Sequence, residues 1–328
     1  MRRGRTDPPS AGDLAEAFRS GSVRALARAI TLVERRDPSV RQLQDSLRDR
    51  LRAPSVLGWT GAPGTGKSTL VDWAIRHLRE REQKVAVIAV DPNSPYSGGA
   101  ILGDRIRMQR HAGDRDVFIR SMGTRGHLGG LSMATREAVR LLGAFGFDWV
   151  LLETVGVGQS ELEVAAIADT TLVVLTPGLG DGVQMIKAGI MEVADAFVVN
   201  KADMVGARKT VQEIKSMLHM GPALAWTPPV VSTVATEGQG LEELFEQVER
   251  HRLYLAESGE GRRRAEARLK EEAADLVGEW AREQARQMLD EEELADRLLG
   301  DGSPYAAAEE ILARRGKALV PEAARRED

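Results

Sequence analysis

A glycine-rich run that begins at position 61 has the residue types needed to hold a polyphosphate. Its glycines can take positive φ and turn backbone N–H groups inward onto phosphate oxygens. The ammonium of Lys67 can reach the β and γ phosphates, and the hydroxyl of Ser68 can ligate Mg²⁺. The predicted phosphate-binding residues are Gly61, Ala62, Pro63, Gly64, Thr65, Gly66, Lys67, Ser68 and Thr69.

The surroundings of this run favour a phosphate cradle over a merely flexible glycine loop. The apolar run 56–59 precedes it, and residues 69–75 follow with a helical pattern. A strand before and a helix after are the context that this motif requires. A chance match to its four fixed positions in a chain of this length is expected in about one sequence in a hundred.

A second motif, residues 200–203, predicts which nucleotide is bound. It directly follows the apolar run 197–199, so it lies at a strand end, where open α/β sheets bind ligands. A carboxylate at Asp203 can accept hydrogen bonds from N1–H and the exocyclic amine of guanine, whereas adenine would leave the acid unpaired. The sequence therefore predicts GTP and GDP as ligands, with base-side contacts from Asn200, Lys201, Asp203, Ser232, Thr233 and Val234.

Residues 200–203, here called the base loop, and residues 232–234 each have an expected task. The stem of Lys201 can lie over the base, and Asn200 can tie the loop to the cradle. Residues 232–234, after the last predicted strand, resemble the loop that contacts guanine from its other side.

Acidic residues at two further strand ends predict the metal site and the nucleotide switch. Asp91 follows one predicted strand, and Asp104 lies in the segment that continues from it. Glu153 ends another strand, and Gly156 can offer its N–H to the γ-phosphate. Mg²⁺ takes oxygen ligands and keeps several waters. The predicted metal group is Ser68, Asp91, Asp104 and Glu153, and the predicted catalytic group is Lys67, Asp91, Asp104, Glu153 and Gly156.

Two other interpretations of these segments stay open. Asp91 or Asp104 could instead cap a helix N-terminus. Val157 stands where small signalling GTPases carry the glutamine that orients the attacking water, and Gln159 is the nearby residue that could replace it. We hypothesise that unaided hydrolysis is slow and that a partner completes the site.

Short apolar runs alternate with amphipathic helices through most of the chain and would position these motifs. This alternation predicts an α/β fold, a P-loop doubly wound and mostly parallel sheet flanked by helices. The predicted domains are an N-terminal helical segment, 1–54, a nucleotide-binding domain, 55–255, and a C-terminal helical arm, 256–328. The predicted strands are 55–60, 85–90, 117–122, 148–153, 171–176, 196–200 and 229–232, and the predicted helices include 66–80, 131–145, 207–219 and 241–250.

The C-terminal arm carries apolar residues at a four-three-four spacing. This spacing is equally compatible with two structures. The arm could pack as a hairpin on its own domain or form an oligomerisation element. The residues are Leu269, Ala273, Leu276 and Trp280.

Composition narrows the class of protein. The chain has 328 residues, 42% of them hydrophobic, which is enough for one full core plus appendages. The net charge of −4 is small, so neither a nucleic-acid nor a membrane partner is expected. It has no cysteine, which excludes disulfides and thiolate metal sites. No apolar leader or membrane span is evident, so we expect a cytoplasmic protein.

Together these motifs resemble the MeaB/ArgK-type P-loop GTPases of the SIMIBI class, the chaperones of adenosylcobalamin-dependent methylmalonyl-CoA mutase. The resemblance covers residues 59 to about 249, and the combination of segments is far more specific than any one motif. Besides the cradle, it rests on 91–108, 123–130, 153–160, 177–184 with Lys187, and 200–203.

The resemblance implies a homodimer, held partly through the C-terminal arm, that binds the mutase. GTP would gate the delivery of intact adenosylcobalamin and the removal of damaged cofactor, and the 177–189 loop would act as an extra switch. The client would be methylmalonyl-CoA mutase or a sister acyl-CoA mutase. Two alternatives stay open: a metal-insertion GTPase of the same class, although the chain lacks cysteine and clustered histidine, and a phosphotransferase.

Overall fold

A computed structural model supplies the coordinates of the chain. It describes residues 10–91, 109–111, 113–123, 130–154, 160–178, 192–221 and 224–289, together with 303–305, 308–309 and 311–313. Among these residues, no helix is both long and apolar enough to cross a membrane.

The described residues form one parallel sheet of seven strands in the order β3-β2-β4-β1-β5-β6-β7. The central strands are buried along their whole length, as strands covered on both faces must be. Because all strands run in one direction, their carboxyl ends meet at one edge of the sheet. The strands are β1 (Ser55–Thr60), β2 (Val85–Asp91), β3 (Val117–Gly123), β4 (Trp149–Thr154), β5 (Thr170–Leu175), β6 (Ala196–Asn200) and β7 (Val230–Thr233).

Helices cover both faces of the sheet. Successive residues of β1 point to opposite faces, so Val56 joins one hydrophobic core while Leu57 and Trp59 join the other. The doubly wound α/β fold predicted from the sequence is therefore confirmed. The helices are α1 (Ala11–Arg19), α2 (Val23–Glu34), α3 (Ser39–Ser46), α4 (Lys67–Arg79), α5 (Gly130–Phe145), α6 (Ser160–Ile167), α7 (Ala207–Met220), α8 (Leu241–Glu257) and α9 (Glu260–Leu289).

The three N-terminal helices pack into the first of these cores. Phe18 of α1 meets Phe145 of α5 edge to face, with ring centroids 5.1 Å apart. Arg120 of β3 donates to the carbonyl of Ala27 at 2.9 Å and to Thr31 Oγ1 at 3.0 Å, both on α2. These helices therefore cover one face of the sheet, an arrangement that their helical periodicity alone did not predict.

The chain divides into two compact units, residues 1–263 and 264–328. The first unit contains the whole sheet. In the second, the apolar side chains of Leu269, Leu276 and Trp280 are exposed on helix α9. The division into 1–54, 55–255 and 256–328 stays a prediction.

Candidate nucleotide-binding site

The cradle loop connects the central strand β1 to helix α4 and depends on glycine for its shape. Gly61, Gly64 and Gly66 have φ of 138°, 79° and 95°, backbone angles that residues other than glycine rarely adopt. A Cβ on Gly61 would lie 2.2 Å from the carbonyl oxygen of Val174, and one on Gly66 would lie 2.3 Å from Asn200 Nδ2. The loop therefore needs glycine for its backbone angles and, at two positions, for space.

The same loop ends at the N-terminus of α4, where backbone N–H groups and the helix dipole favour an anion. Lys67 is the first residue of this helix, and its ammonium is buried within the loop. It donates to the carbonyls of Gly61 at 2.6 Å and Ala62 at 3.1 Å. A closely packed glycine loop with a lysine inside it and a helix N-terminus beside it fits a bound triphosphate.

Two oxygen-bearing side chains meet beside the cradle. Ser68 donates its hydroxyl to Glu153 Oε1 at 2.6 Å. Glu153 is only 2% exposed, and the register of the sheet pairs it with Trp59, just before the cradle. A hydroxyl and a carboxylate in contact are ligands of the type that Mg²⁺ prefers, so the described part of the predicted metal site fits this ion.

The other predicted metal and switch residues are only partly described. The backbone of Asp91 ends β2, paired with Gly123 of β3 at the same carboxyl edge, but its side chain is not among the described parts. Asp104 and Gly156 lie outside the described residues, as do Val157 and Gln159. Most of the 123–130 and 177–189 loops lies outside them too. Within the described part of the chain, no three acidic or histidine side chains form a metal cluster.

Asn200 connects the base loop to the cradle and to the loop after β7. Its side-chain amide donates to the carbonyl of Thr65 at 2.8 Å. Its Oδ1 accepts from Thr233 Oγ1 and from the N–H of Ala235, each at 3.1 Å. Since Asn200 is buried, these bonds are shielded from water and fix the three loops relative to one another. The tie between Asn200 and the cradle was expected from the sequence.

Lys201 adds a second connection, and its backbone takes a left-handed φ of 57°. Its ammonium donates to the carbonyl of Gly64 at 2.9 Å, so the side chain reaches across to the cradle. The N–H of Ala202 donates to Thr233 O at 3.0 Å. The carboxylate of Asp203 then follows in an exposed turn, where a base could reach it.

The last residues of β7 and the first residue after it differ in exposure. Ser232 is exposed, whereas Thr233 and Val234 are buried. The hydroxyl of Thr233 donates to Asn200 Oδ1 and so helps to hold the Asn200 side chain in place. Ala235 was not predicted from the sequence, because it binds Asn200 through its backbone N–H, which no side-chain pattern reveals.

Comparisons with known proteins agree with this geometry. The family model described as methylmalonyl Co-A mutase-associated GTPase MeaB matches residues 26–290. A Pyrococcus horikoshii protein named as a GTPase is 44% identical over 306 residues, 92% of this chain and 96% of that one. The mouse protein named methylmalonic aciduria type A homolog, mitochondrial, is 38% identical over 259 residues, 73% of this chain and 62% of that one.

Among solved structures, one titled LAO/AO transport system kinase has a TM-score of 0.67 and 27% identity. The match covers 95% of this chain and all of that one. The resemblance to the MeaB/ArgK-type GTPases is thereby confirmed, as is the prediction of a GTP hydrolase. The chain belongs to the family of methylmalonyl-CoA mutase-associated GTPases, MeaB, and is a P-loop GTPase.

Proposed function

We propose that the chain is a Mg²⁺-dependent GTPase chaperone of an adenosylcobalamin-dependent acyl-CoA mutase, with methylmalonyl-CoA mutase as the client. Its GTP cycle gates the loading and protection of the cobalamin cofactor. The family description and the name of the mouse relative support the choice of client. The observation that carries the nucleotide part is the bridge made by Asn200, which joins the cradle, the base loop and the loop after β7.

In this proposal each described residue has a defined task. The backbone of residues 61–66 and the ammonium of Lys67 hold the phosphates, and Asp203 selects guanine. Ser68 and Glu153, already in contact, hold the metal or its waters. When bound, Mg²⁺ would offset the negative charge that develops on the phosphate oxygens.

The base loop adjoins the start of the 177–189 loop, which supports a role for that loop in reporting nucleotide state. Gly206 lies three residues after Asp203, and a Cβ built on it would lie 3.9 Å from Pro177 Cβ. Movement of the base loop would therefore displace the start of the 177–189 loop, and the reverse. We assign Asp91, Asp104 and Gly156 to the proposed site as metal-holding and γ-phosphate-sensing residues.

A pull-down tests the choice of client. The chain, loaded with GDP or with a non-hydrolysable GTP analogue, is mixed with purified adenosylcobalamin-dependent acyl-CoA mutases. We expect capture of methylmalonyl-CoA mutase with an affinity that differs at least about fivefold between the two nucleotides, the lower end of typical couplings between sites. Equal capture in both states would refute gating, and no capture would refute the client.

We also propose that the chain is a homodimer, held partly through helix α9. The exposed stripe of Leu269, Leu276 and Trp280 supports this, since contiguous exposed apolar surface marks association sites. Light scattering on the preparation used in the pull-down should give twice the chain mass. A monomer mass at all working concentrations would rule the dimer out.

A further inference from the structure

One stripe of helix α4 runs from the metal site along the side of the domain. Ser68, Asp72, Arg76 and Arg79 are spaced by four, four and three residues, so they lie on one helix face. Ser68 contacts Glu153 at the top of this stripe. Below it, Asp72 contacts Arg110 and His111, and Arg79 contacts residues 114 and 116, just before the edge strand β3. The stripe therefore connects the metal site to the residues before β3.

Asp72 is the centre of the upper contact. Its carboxylate is about 3% exposed, yet it meets several cationic or ring nitrogens. Arg110 donates through Nε to Oδ1, and its Nη2 forms an ion pair with Oδ2. His111 Nε2 lies 3.0 Å from Oδ1, and Arg76 Nη2 lies 3.6 Å from Oδ2. This is a buried, multiply bonded carboxylate outside the nucleotide cradle.

Arginine side chains surround the buried carboxylate of Asp72 and lower the pKa of its other neighbour, His111. Burial lowers the pKa of His111, and the neighbouring Arg110 and Arg76 lower it further, against a smaller opposite effect of Asp114. His111 Nε2 therefore meets the Asp72 carboxylate beside the positive charge of Arg110. Because Asp72 is buried while Arg110 is half-exposed, loss of Arg110 would leave the Asp72 carboxylate poorly solvated, which favours the contact.

The lower contact of the stripe differs in position and in exposure. Arg79 donates to Asp114 at 2.8 Å and lies 3.1 Å from Asp116. Asp114 is about one third exposed, and hydrogen bonding to Arg79 lowers its pKa. Because this pair lies about two helical turns beyond Asp72 and further from Ser68, it serves as an internal comparison.

We propose that Asp72 is a positioning residue for GTP hydrolysis. It clamps Arg110 and His111 to α4 one turn below Ser68, and so fixes the end of the segment that carries Asp104. Asp104 precedes Arg110 by six positions, a tether of at most about 20 Å when fully extended. The inference rests on the proposed role of Asp104 at the metal. Asp72 itself does not touch the nucleotide.

The test compares Asp72→Asn with Asp114→Asn in the full chain. For Asp72→Asn we expect kcat for GTP to fall about 10- to 100-fold, with KM changed less than about threefold and a higher Mg²⁺ concentration at half-maximal rate. Asp114→Asn should keep kcat within about twofold of the unchanged chain. Asp72→Glu should recover part of the rate.

The readouts distinguish positioning from simple support of the fold. Thermal unfolding is measured for all variants, and Arg110→Gln, which changes a half-exposed side chain, replaces Asp72→Asn if that variant does not fold. A kcat near that of the unchanged chain in folded Asp72→Asn or Arg110→Gln would overturn the proposal, as would an equal loss in Asp114→Asn. These rates are measured without the mutase, so their outcome is independent of whether the mutase is the client.

Discussion

Replacing Asp203 with asparagine is expected to change the preferred nucleotide from GTP to xanthosine triphosphate. The carboxylate accepts N1–H and the exocyclic amine of guanine, whereas an amide offers one acceptor and one donor. Xanthine presents N1–H beside a carbonyl oxygen, which matches the amide. Hydrogen bonds to a charged group contribute about 1.5–3 kcal/mol each. The amide keeps the bond from N1–H but turns a donor toward the exocyclic amine, so GTP binding should weaken about 10- to 100-fold.

Competition binding measures both the expected loss of GTP affinity and the expected gain of XTP affinity. Dissociation constants for GTP, XTP and ATP are determined for the unchanged chain and for Asp203→Asn. Glu237→Gln, which alters another exposed acid of the same unit, serves as a control that should leave all three unchanged. If Asp203→Asn retained tight GTP binding and gained nothing for XTP, Asp203 would not read the base.

Replacing Lys67 with alanine should nearly abolish hydrolysis. The ammonium is buried and held by the carbonyls of Gly61 and Ala62, so it is positioned before the phosphates arrive. Removing one such positioned donor typically costs about 10²- to 10³-fold in kcat. Phosphate release at saturating GTP measures this loss, and nucleotide affinity should also fall because a positive charge facing the phosphates is gone.

An exposed lysine provides the matched comparison for this change. Lys209 lies on α7 with its side chain 80% exposed, and its alanine variant should hydrolyse GTP at the original rate. Thermal unfolding of Lys67→Ala is followed in parallel, since the variant also loses two buried hydrogen bonds. A folded Lys67→Ala with more than about one tenth of the original kcat would contradict the assigned role.

The strands were predictable because each is a short, almost wholly apolar run in a sheet covered on both faces. Predicted and observed ends differ by one residue at most; β4, for example, was predicted as 148–153 and is Trp149–Thr154. Helix α8 was predicted to end at 250 but continues to Glu257, because His251 and Leu255 keep a buried face. Helix α6 was not predicted, since its apolar residues do not form a one-sided stripe.

The site was predictable where chemistry is concentrated in adjacent residues. The glycines of the cradle and the acid at Asp203 each follow a strand, so local sequence indicates both their task and their place. The Asp72 cluster could not be found in this way, because Asp72 and His111 are 39 positions apart. Neither residue is distinctive alone, and only the packing of residues 110–111 on α4 brings them together.

Single-turnover hydrolysis tests whether a partner completes this GTPase site. Chain in excess over labelled GTP is followed alone and with saturating methylmalonyl-CoA mutase, with Lys67→Ala as the blank for hydrolysis by other proteins. We expect a slow rate for the chain alone, because Val157 cannot orient water, and a rise of at least about tenfold with the mutase. Equal rates with and without the mutase would contradict it.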